Sequence, residues 1–579
     1  MAQPSATIGD ARRPFPWRRS VSPERWLFGG TAVLLTLLIL PPVLTLVRSS
    51  FFVGIGPGRS GVLSLGAYAG ILADPDFPQL VLGTLEFACG SALFGLVVGA
   101  GLAWCTERTD TPLKGLVYAA SFVSFAVPGV LRAIGWIFLL GPQSGAINQV
   151  FRRLTQARGP LIDIFTLPAM ILVEGLAWVP VVFLMLAVTF RSMDAALEEA
   201  AMMSGAAMAQ TLRRVTIRLA FPAIVAAGLL TFIRSTQAFE VPLLLGVPGK
   251  VSVLTTKVYL AMRSGILPDY SGPSAYGTLL VLFLVGFIYL YSRAVRSGSK
   301  YVTVTGKGFR PRVLELGAAR YVAAAFVVLV VGLQFLPVAY LTFASFLRGF
   351  GLSGSLFSQL TLTNYVQTLA NPNVAASLFN SFSIGATTAT VVVMQAAVVA
   401  WILIRGRTAG RAVLDQLASL PLIFPGVVLG LAVLTLYISS PVRVYGTIWI
   451  LVIAYVISFL PYGLRYAHVG LLQISPELEE SGQVGGGTWG QVFLRIVVPL
   501  LLPALVAAWI FVFLLSIREL SAAALLYTAT SPVVASTMLD LWQNANSNQV
   551  SAFGSIVSVL SIGLALVAYR LGRRWGIQT

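Results

Sequence analysis

Apolar residues dominate twelve stretches of this chain, each close to the roughly 20 residues that a helix needs to cross a bilayer. Six lie near 27–50, 78–105, 115–140, 165–190, 220–246 and 276–296. Six more follow near 318–347, 376–404, 414–438, 444–472, 497–527 and 553–573. The pattern predicts an all-α polytopic membrane protein of about twelve transmembrane helices, with stretches interrupted by Pro or Gly open to being split or re-entrant. Composition agrees. Of 579 residues 57% are hydrophobic and only 10% are charged, more apolar surface than a soluble fold of this size can bury.

A net charge of +18 would suggest nucleic acid as the partner of a soluble protein, but in a membrane chain it is first a statement about topology. Arg12, Arg13, Arg18, Arg19 and Arg25 precede the first span, and Arg293, Arg296, Lys300, Lys307, Arg310 and Arg312 lie between the two sets of six. Arg405, Arg407 and Arg411 follow the eighth span, and Arg570, Arg573 and Arg574 end the chain. With an even number of spans these all fall on one side, which the positive-inside rule makes cytoplasmic, both termini included. Arg152, Arg153 and Arg158 are exceptions in a longer external loop. The amino-terminal RRPFPWRR could pass for a twin-arginine signal, but the apolar run after it is too long for a signal peptide and is taken as an uncleaved first span. Cys89 and Cys105 stand too far apart along one helix to bridge, and a single histidine, His468, leaves no metal site recognisable from spacing.

The chain repeats itself. LEEAAMMSGAAMAQTLRRVTIRLAFPAI at 197–224 recurs as LEESGQVGGGTWGQVFLRIVVPLLLPAL at 478–505, displaced by 281 residues without a gap. Further upstream Tyr68, Asp74, Pro75, Trp104 and Pro128 match Tyr365, Asn371, Pro372, Trp401 and Pro425 at a displacement of 297. The first half therefore holds about sixteen extra residues between its third and fourth spans, where GPQSGAINQVFRRLTQARGP lies. The expected organisation is a basic segment at 1–19, one six-span repeat at 20–298, a cytoplasmic linker at 299–314 and a second repeat at 315–579. Even span counts give the two repeats the same orientation, related about an axis along the membrane normal.

Each repeated loop, about 192–221 and 473–502, places two adjacent acids, a glycine six residues later, then basic residues and a proline opening the next apolar run. Asp194 and Ser475 take helix-capping positions, Pro476 suits the first helical residue, and Glu198, Glu199, Glu477, Glu479 and Glu480 fall in first turns where the helix dipole favours anions. Gly205 and Gly486 then end each helix, by a positive φ or by close backbone approach. A second short helix follows, with Arg213, Arg214 and Arg218 in one copy and Arg495 in the other.

This spacing resembles the EAA loop of ABC importer permeases, and the resemblance covers essentially the whole chain. The fused two-half form is similar to the ferric-iron importer permeases, with thiamine, polyamine and phosphonate permeases as relatives. The segments FEVPLLLGVPGKVSVLTTKVY (239–259) and FLLSIRELSAAALLY (513–527) look most like the iron group. The resemblance implies a bacterial inner-membrane subunit that catalyses no reaction itself, a periplasmic solute-binding protein, and two copies of a separate cytoplasmic ATPase that bind the ATP. It also implies that Glu198, Glu199, Ala200, Ala201 and Gly205, with Glu479, Glu480 and Gly486, couple to that ATPase. The second copy departs from the pattern, reading Glu480-Ser481-Gly482 where the first reads Glu199-Ala200-Ala201, and Arg218 stands where the second copy has Pro499. The chain lacks a Walker A loop, since Gly249-Lys250-Val251 and Gly306-Lys307-Gly308 miss both the upstream glycine and the hydroxyl.

Charges within spans cost roughly 2.5–3.5 kcal/mol at a helix centre and so usually face protein or water. Glu86, Arg132, Glu174, Arg234, Glu240, Arg465, Arg518 and Glu519 are such charges, Glu86 and Glu174 lying deepest in their runs. Glu86, Glu174 and Glu519, with the repeat-related Ser235 and Ser516, are candidates for a solute pathway that would suit a cation. Interhelical pairing and snorkelling are the alternative for the same residues. Two rival classes are an ion-coupled secondary transporter, for which two cytoplasmic helix-turn-helix loops have no use, and an intramembrane enzyme, for which no catalytic constellation is legible.

Overall fold

The computed structural model describes residues 23–54, 61–194, 196–263, 269–298, 314–349, 359–406, 408–438 and 440–574. The basic segment 1–19 and the linker 299–314, Leu314 apart, lie outside the described residues. The first half opens with α1 (Pro23–Ser50), a two-strand hairpin β1–β2 (Phe52–Val53 and Val62–Leu63) and α2 (Gly66–Ala73). It continues through α3 (Phe77–Arg108), α4 (Lys114–Ala126), α5 (Gly129–Leu140), α6 (Ala146–Thr155), α7 (Leu167–Ser192) and α8 (Ala196–Met203). After α9 (Met208–Thr211) a π turn (Leu212–Thr216) leads directly into α10 (Ile217–Thr236), followed by α11 (Leu254–Arg263) and α12 (Ser271–Gly298).

The second half repeats this order. It holds α13 (Ala319–Ala344), α14 (Thr363–Ala370), α15 (Pro372–Arg405), α16 (Arg411–Ser419), α17 (Gly426–Ile438), α18 (Ile448–Leu472) and α19 (Pro476–Val484). Then come α20 (Trp489–Val492), a π turn (Phe493–Val497), α21 (Val498–Arg518), α22 (Ala523–Leu526), α23 (Val534–Gln543) and α24 (Ser547–Arg574). Among the described residues ten helices are long and apolar enough to cross a membrane, and twelve spans result if each of two bent helix pairs counts as one.

Those bent pairs stand where the third span of each half is expected. α4 meets α5 at 103°, and the α16 segment meets α17 at 106°. Pro128 and Pro425 stand at the breaks, where the missing N–H and the pyrrolidine ring prevent helix continuation. The fifth spans differ from expectation at both ends. Instead of reaching 246 and 527, their helices stop at Thr236 and Arg518. At the loop end, the expected separate short helix is the first turns of the span itself, because the π turn absorbs one residue without interrupting the backbone ladder.

Helix starts follow local chemistry. Asn371 Oδ1 accepts from the Asn373 amide at 3.0 Å to cap α15, and its counterpart Asp74 accepts from Asp76 at 3.0 Å ahead of α3. The extra residues of the first half are organised around Asn148, which is fully buried. Its amide donates to the carbonyls of Leu140, Gly141 and Ile162, and its oxygen accepts from the Leu161 and Ile162 amides. Arg152, one of the exceptions to the charge pattern, donates to the Pro142 and Gln143 carbonyls in this same insertion.

In each half the second span packs along the fourth and fifth: α3 against α7 and α10, α15 against α18 and α21. Helices in lipid associate through close packing of small residues, and the two halves achieve it with opposite assignments. A Cβ on Gly99 would lie 2.7 Å from the Val182 Cβ. The repeat-related pair is Ala396 and Gly463, where the glycine has moved to the fourth span and its Cβ would lie 3.4 Å from that of Ala396 and 2.6 Å from Val392 Cγ1. Gly99→Ala should therefore destabilise the chain by about 1–3 kcal/mol, the cost of overpacking. Adding Val182→Gly, which copies the second half, should recover much of that loss. Thermal unfolding of the single and double variants in detergent tests this, and strictly additive effects would contradict it.

Candidate functional site

The two repeated loops fold alike. Asp194 Oδ1 accepts from the Ala196 amide at 3.0 Å to open α8. Ser475 stands at the N-cap of α19, but its side chain makes no capping bond. Gly205 and Gly486 both have φ of +85°. Each closes its helix with a Schellman pair: Ala206 N to Ala201 O at 3.1 Å with Gly205 N to Met202 O at 2.9 Å, and Gly487 N to Gly482 O at 3.1 Å with Gly486 N to Gln483 O at 3.0 Å. A Cβ at either glycine would meet nothing within 4 Å, so the left-handed backbone, rather than close approach, is what calls for glycine there.

The first acid of each loop is a buried anchor. Glu198 pairs with Arg108, the last residue of α3, and both side chains are almost fully enclosed. Arg108 also donates to the Met193 carbonyl at 3.2 Å, and Glu198 Oε1 accepts from Thr216 Oγ1 at 2.6 Å. The other half repeats the arrangement: Arg405 Nε donates to Glu479 Oε1 at 2.8 Å and its Nη2 to the Ile474 carbonyl at 2.5 Å. Trp401 Nε1 completes it, donating to Glu479 Oε2 at 3.0 Å. Arg108 and Arg405 are related by the displacement of 297, and Met193 and Ile474 by that of 281. The repeat displacement would have found both arginines, four residues beyond the matched Trp104 and Trp401, but a terminal arginine on a span ordinarily signals snorkelling.

The second acids point elsewhere. Glu480 is exposed and Glu199 half-buried. Ala200 is exposed and Ala201 half-buried. Beside them each helix turns two apolar side chains outward, Leu197 and Met203 in α8, and Leu478 and Val484 in α19. Met203 is 89% exposed and Val484 90%, in equivalent positions, so each loop offers a bare apolar tip next to an acid.

Of the intramembrane candidates, Glu86 lies on an exposed face of α3 with Leu82, Leu93 and Val97, away from the others. Glu174 is buried and accepts from Trp178 Nε1 at 2.8 Å. Glu519 Oε1 accepts from the Ala522 amide at 3.0 Å. Ser235 and Ser516 are buried, Ser516 bonded back to the Val512 carbonyl at 2.8 Å. Arg132, Glu174, Glu240, Arg518 and Glu519 interact electrostatically across the junction of the halves, a grouping that mixes arginines with the acids.

Two repeated helical halves, each carrying a helix–glycine–helix loop anchored to α3 or α15, define a duplicated membrane permease. The chain belongs to the family described as binding-protein-dependent transport system inner membrane component, whose sequence model matches residues 94–300 and 392–576. It is thus a multi-pass inner-membrane permease of the ABC importer class. It is 28% identical to the ferric transport system permease protein FbpB of Actinobacillus pleuropneumoniae over 395 residues, 68% of this chain and 56% of that protein. It is 26% identical to the probable ABC transporter permease protein y4fN of Sinorhizobium fredii, over 93% of this chain and 94% of that one. The putative 2-aminoethylphosphonate transport system permease protein PhnU of Salmonella choleraesuis matches 48% of this chain and 93% of its own length at 24% identity.

Removing one partner of a buried ion pair leaves an uncompensated charge, so Arg108→Ala should cost about 3–5 kcal/mol. Arg108→Lys should recover little, because an ammonium lacks the fork that reaches both Glu198 and the Met193 carbonyl. Thr216→Val should cost about 1 kcal/mol, one hydrogen bond. Buried Cys105, one turn before Arg108, reports the outcome through its rate of thiol labelling on heating, in a Cys89→Ser background. Wild-type labelling in Arg108→Ala would refute the anchor.

Proposed function

We propose that this chain carries ferric iron across the inner membrane. A periplasmic solute-binding protein delivers it, and two copies of a cytoplasmic ATP-binding-cassette ATPase supply the energy. The observation that carries the coupling part of this reading is the division of labour between the two acids of each loop. The first, Glu198 or Glu479, is consumed inside the protein by an arginine of the second span. The second, Glu199 or Glu480, lies beside the exposed apolar tip at Met203 or Val484. An amphipathic helix seated in a groove of a rigid partner uses that combination, apolar contact for affinity and charge for register. The anchored acid makes the loop stiff, so a displacement imposed by the partner reaches the end of α3 or α15 instead of being lost in the loop. ATP binds the partner subunits in this reading, and both termini of the chain face the cytoplasm with the loops.

Iron as cargo is supported by relatives named as ferric permeases that match across both halves, one of them over 86% of this chain, whereas the 2-aminoethylphosphonate relative matches about one half. The carboxylates of Glu174, Glu240 and Glu519 are hard oxygen groups of the kind a ferric species passes over. They act as stations on a route and not as a tight site, the selection being made by the binding protein.

Charge reversal at both second acids, Glu199→Lys with Glu480→Lys, should release the ATPase on mild-detergent purification and abolish transport while leaving the spans inserted. Retention of the ATPase together with unchanged transport would overturn the coupling reading. Cargo is tested separately by uptake of labelled ferric iron into cells lacking other ferric permeases, with 2-aminoethylphosphonate, thiamine and spermidine in parallel. ATP-dependent accumulation of one of those three without iron would overturn the iron assignment and leave the coupling intact.

A further inference from the structure

We propose that Gln237 and Arg518 are paired positioning residues of a latch between the two halves, each holding the broken third span of the opposite half, and that the transport cycle must release them. The inference rests on the permease reading above but not on iron as cargo.

The breaks create the need. In an uninterrupted helix the carbonyl of residue 125 would receive the amide of residue 129, and that of residue 422 the amide of residue 426. At the breaks those amides belong to helices that turn away by more than a right angle, which strands the carbonyls in the middle of an apolar stretch, where an unsatisfied backbone group is costly. The stranded carbonyls are met from across the molecule. Arg518, the last residue of α21 in the second half, donates to the Phe125 carbonyl in the first. Gln237, just past the end of α10 in the first half, donates through Nε2 to the carbonyls of Leu422, at 3.1 Å, and Ile423, at 3.3 Å, in the second.

The two contacts are the same contact. Gln237 and Arg518 are equivalent at the displacement of 281, and Phe125 and Leu422 at that of 297. Each half gives and receives, as a two-fold interface requires. The Gln237 amide is held in the productive sense by Arg234, which donates to Gln237 Oε1 at 2.9 Å and to the Tyr462 hydroxyl of the second half at 2.5 Å. A guanidinium can only donate, so the amide oxygen must face it and the NH2 must face the carbonyls.

Beyond each break a carboxylate meets the new helix start. Glu240 Cδ lies 3.3 Å from where a Cβ on Gly129 would be, and Glu519 Oε1 lies 3.0 Å from the same position on Gly426. Gly129 and Gly426 open α5 and α17, so each half-helix presents its positive end to an acid of its own half. A route between the halves has to part these contacts, because the donors and the carbonyls lie on opposite sides of the junction. Glutamine on one side and arginine on the other make the latch unequal, with the charged arm the stronger.

The test uses the permease purified with its ATPase, reading the ATP hydrolysis rate without binding protein. Losing an arm weakens the closed state by about one net hydrogen bond, roughly fivefold in its equilibrium, so Gln237→Leu with Arg518→Met, which removes both arms, should raise the resting rate roughly 25-fold. Arg518→Gln, which installs the first half's residue and keeps a donor without the charge, should fall between wild type and the double variant. An assembled double variant at the wild-type resting rate or below overturns the proposal. Absence of any ATPase from the wild-type preparation would instead count against the coupling reading.

Should the double variant not assemble, cysteines at 237 and 422, in a chain with Cys89 and Cys105 replaced by serine, allow the halves to be bridged reversibly by a short thiol-specific linker. Suppressed hydrolysis that returns on releasing the linker supports the latch. Undiminished hydrolysis in the bridged complex overturns it.

Discussion

A backbone carbonyl inside a bilayer has no water to turn to, and the architecture of this permease is arranged around that constraint. Most of its spans obey it trivially, by being continuous helices. The third span of each half does not, since Pro128 and Pro425 stop the ladder at mid-course. Keeping those breaks requires donors at fixed places, and the fifth span of the opposite half supplies them. Neither half is therefore complete alone. The broken spans, the glycines that let acids approach the half-helices, and the meeting of α10 and α21 with the opposite half follow from the carbonyls left unpaired at each break.

The halves solve equal problems with unequal residues. Glu198 takes its second hydrogen bond from Thr216, whereas Glu479 takes it from Trp401, and Trp104, the counterpart of Trp401, leaves its Nε1 without an acceptor among the described residues. The glycine that lets the second and fourth spans touch sits on α3 in one half and on α18 in the other. Glu240 and Glu519 reach equivalent half-helices from positions that are not equivalent in the repeat. What persists across the duplication is backbone geometry: two breaks, two π turns and two positive-φ glycines at matching positions. Side chains are exchanged around it wherever volume and hydrogen bonding can be met another way.

This contrast explains what the sequence made legible. Span number came from runs of apolar residues, and the loop glycines from their place after a helix-length segment, because those signals are local. The buried role of Glu198 and Glu479 was not legible, since two adjacent acids look alike until one is known to face an arginine 90 or 74 residues away in the chain. Gln237 gave no signal at all, being an uncharged residue at a helix end whose partner lies 185 residues on. Glu86 shows the same limit from the other side. Its depth in an apolar run marked it as a charge facing protein or water, but the face it occupies is set by how α3 packs on α7 and α10, which a single run cannot reveal.

The fifth span joins the two features on which the proposed mechanism turns. From Met208 to Thr236 the backbone is one continuous helix, and from Trp489 to Arg518 another. At one end each carries the turn that follows the loop glycine; at the other it ends beside Gln237 or as Arg518. A rise of about 1.5 Å per residue puts roughly 40 Å between these ends. A helix that long resists compression, so a pull on the loop arrives at the latch as a shift of the same rod, with no chain of intermediate contacts required. The π turn sits close to the loop end, where the ladder is loosest and a helix can bend or rotate at least expense. Stiffness along the span and compliance at its root would turn an axial pull into a swing of Gln237 and Arg518 away from the carbonyls they hold.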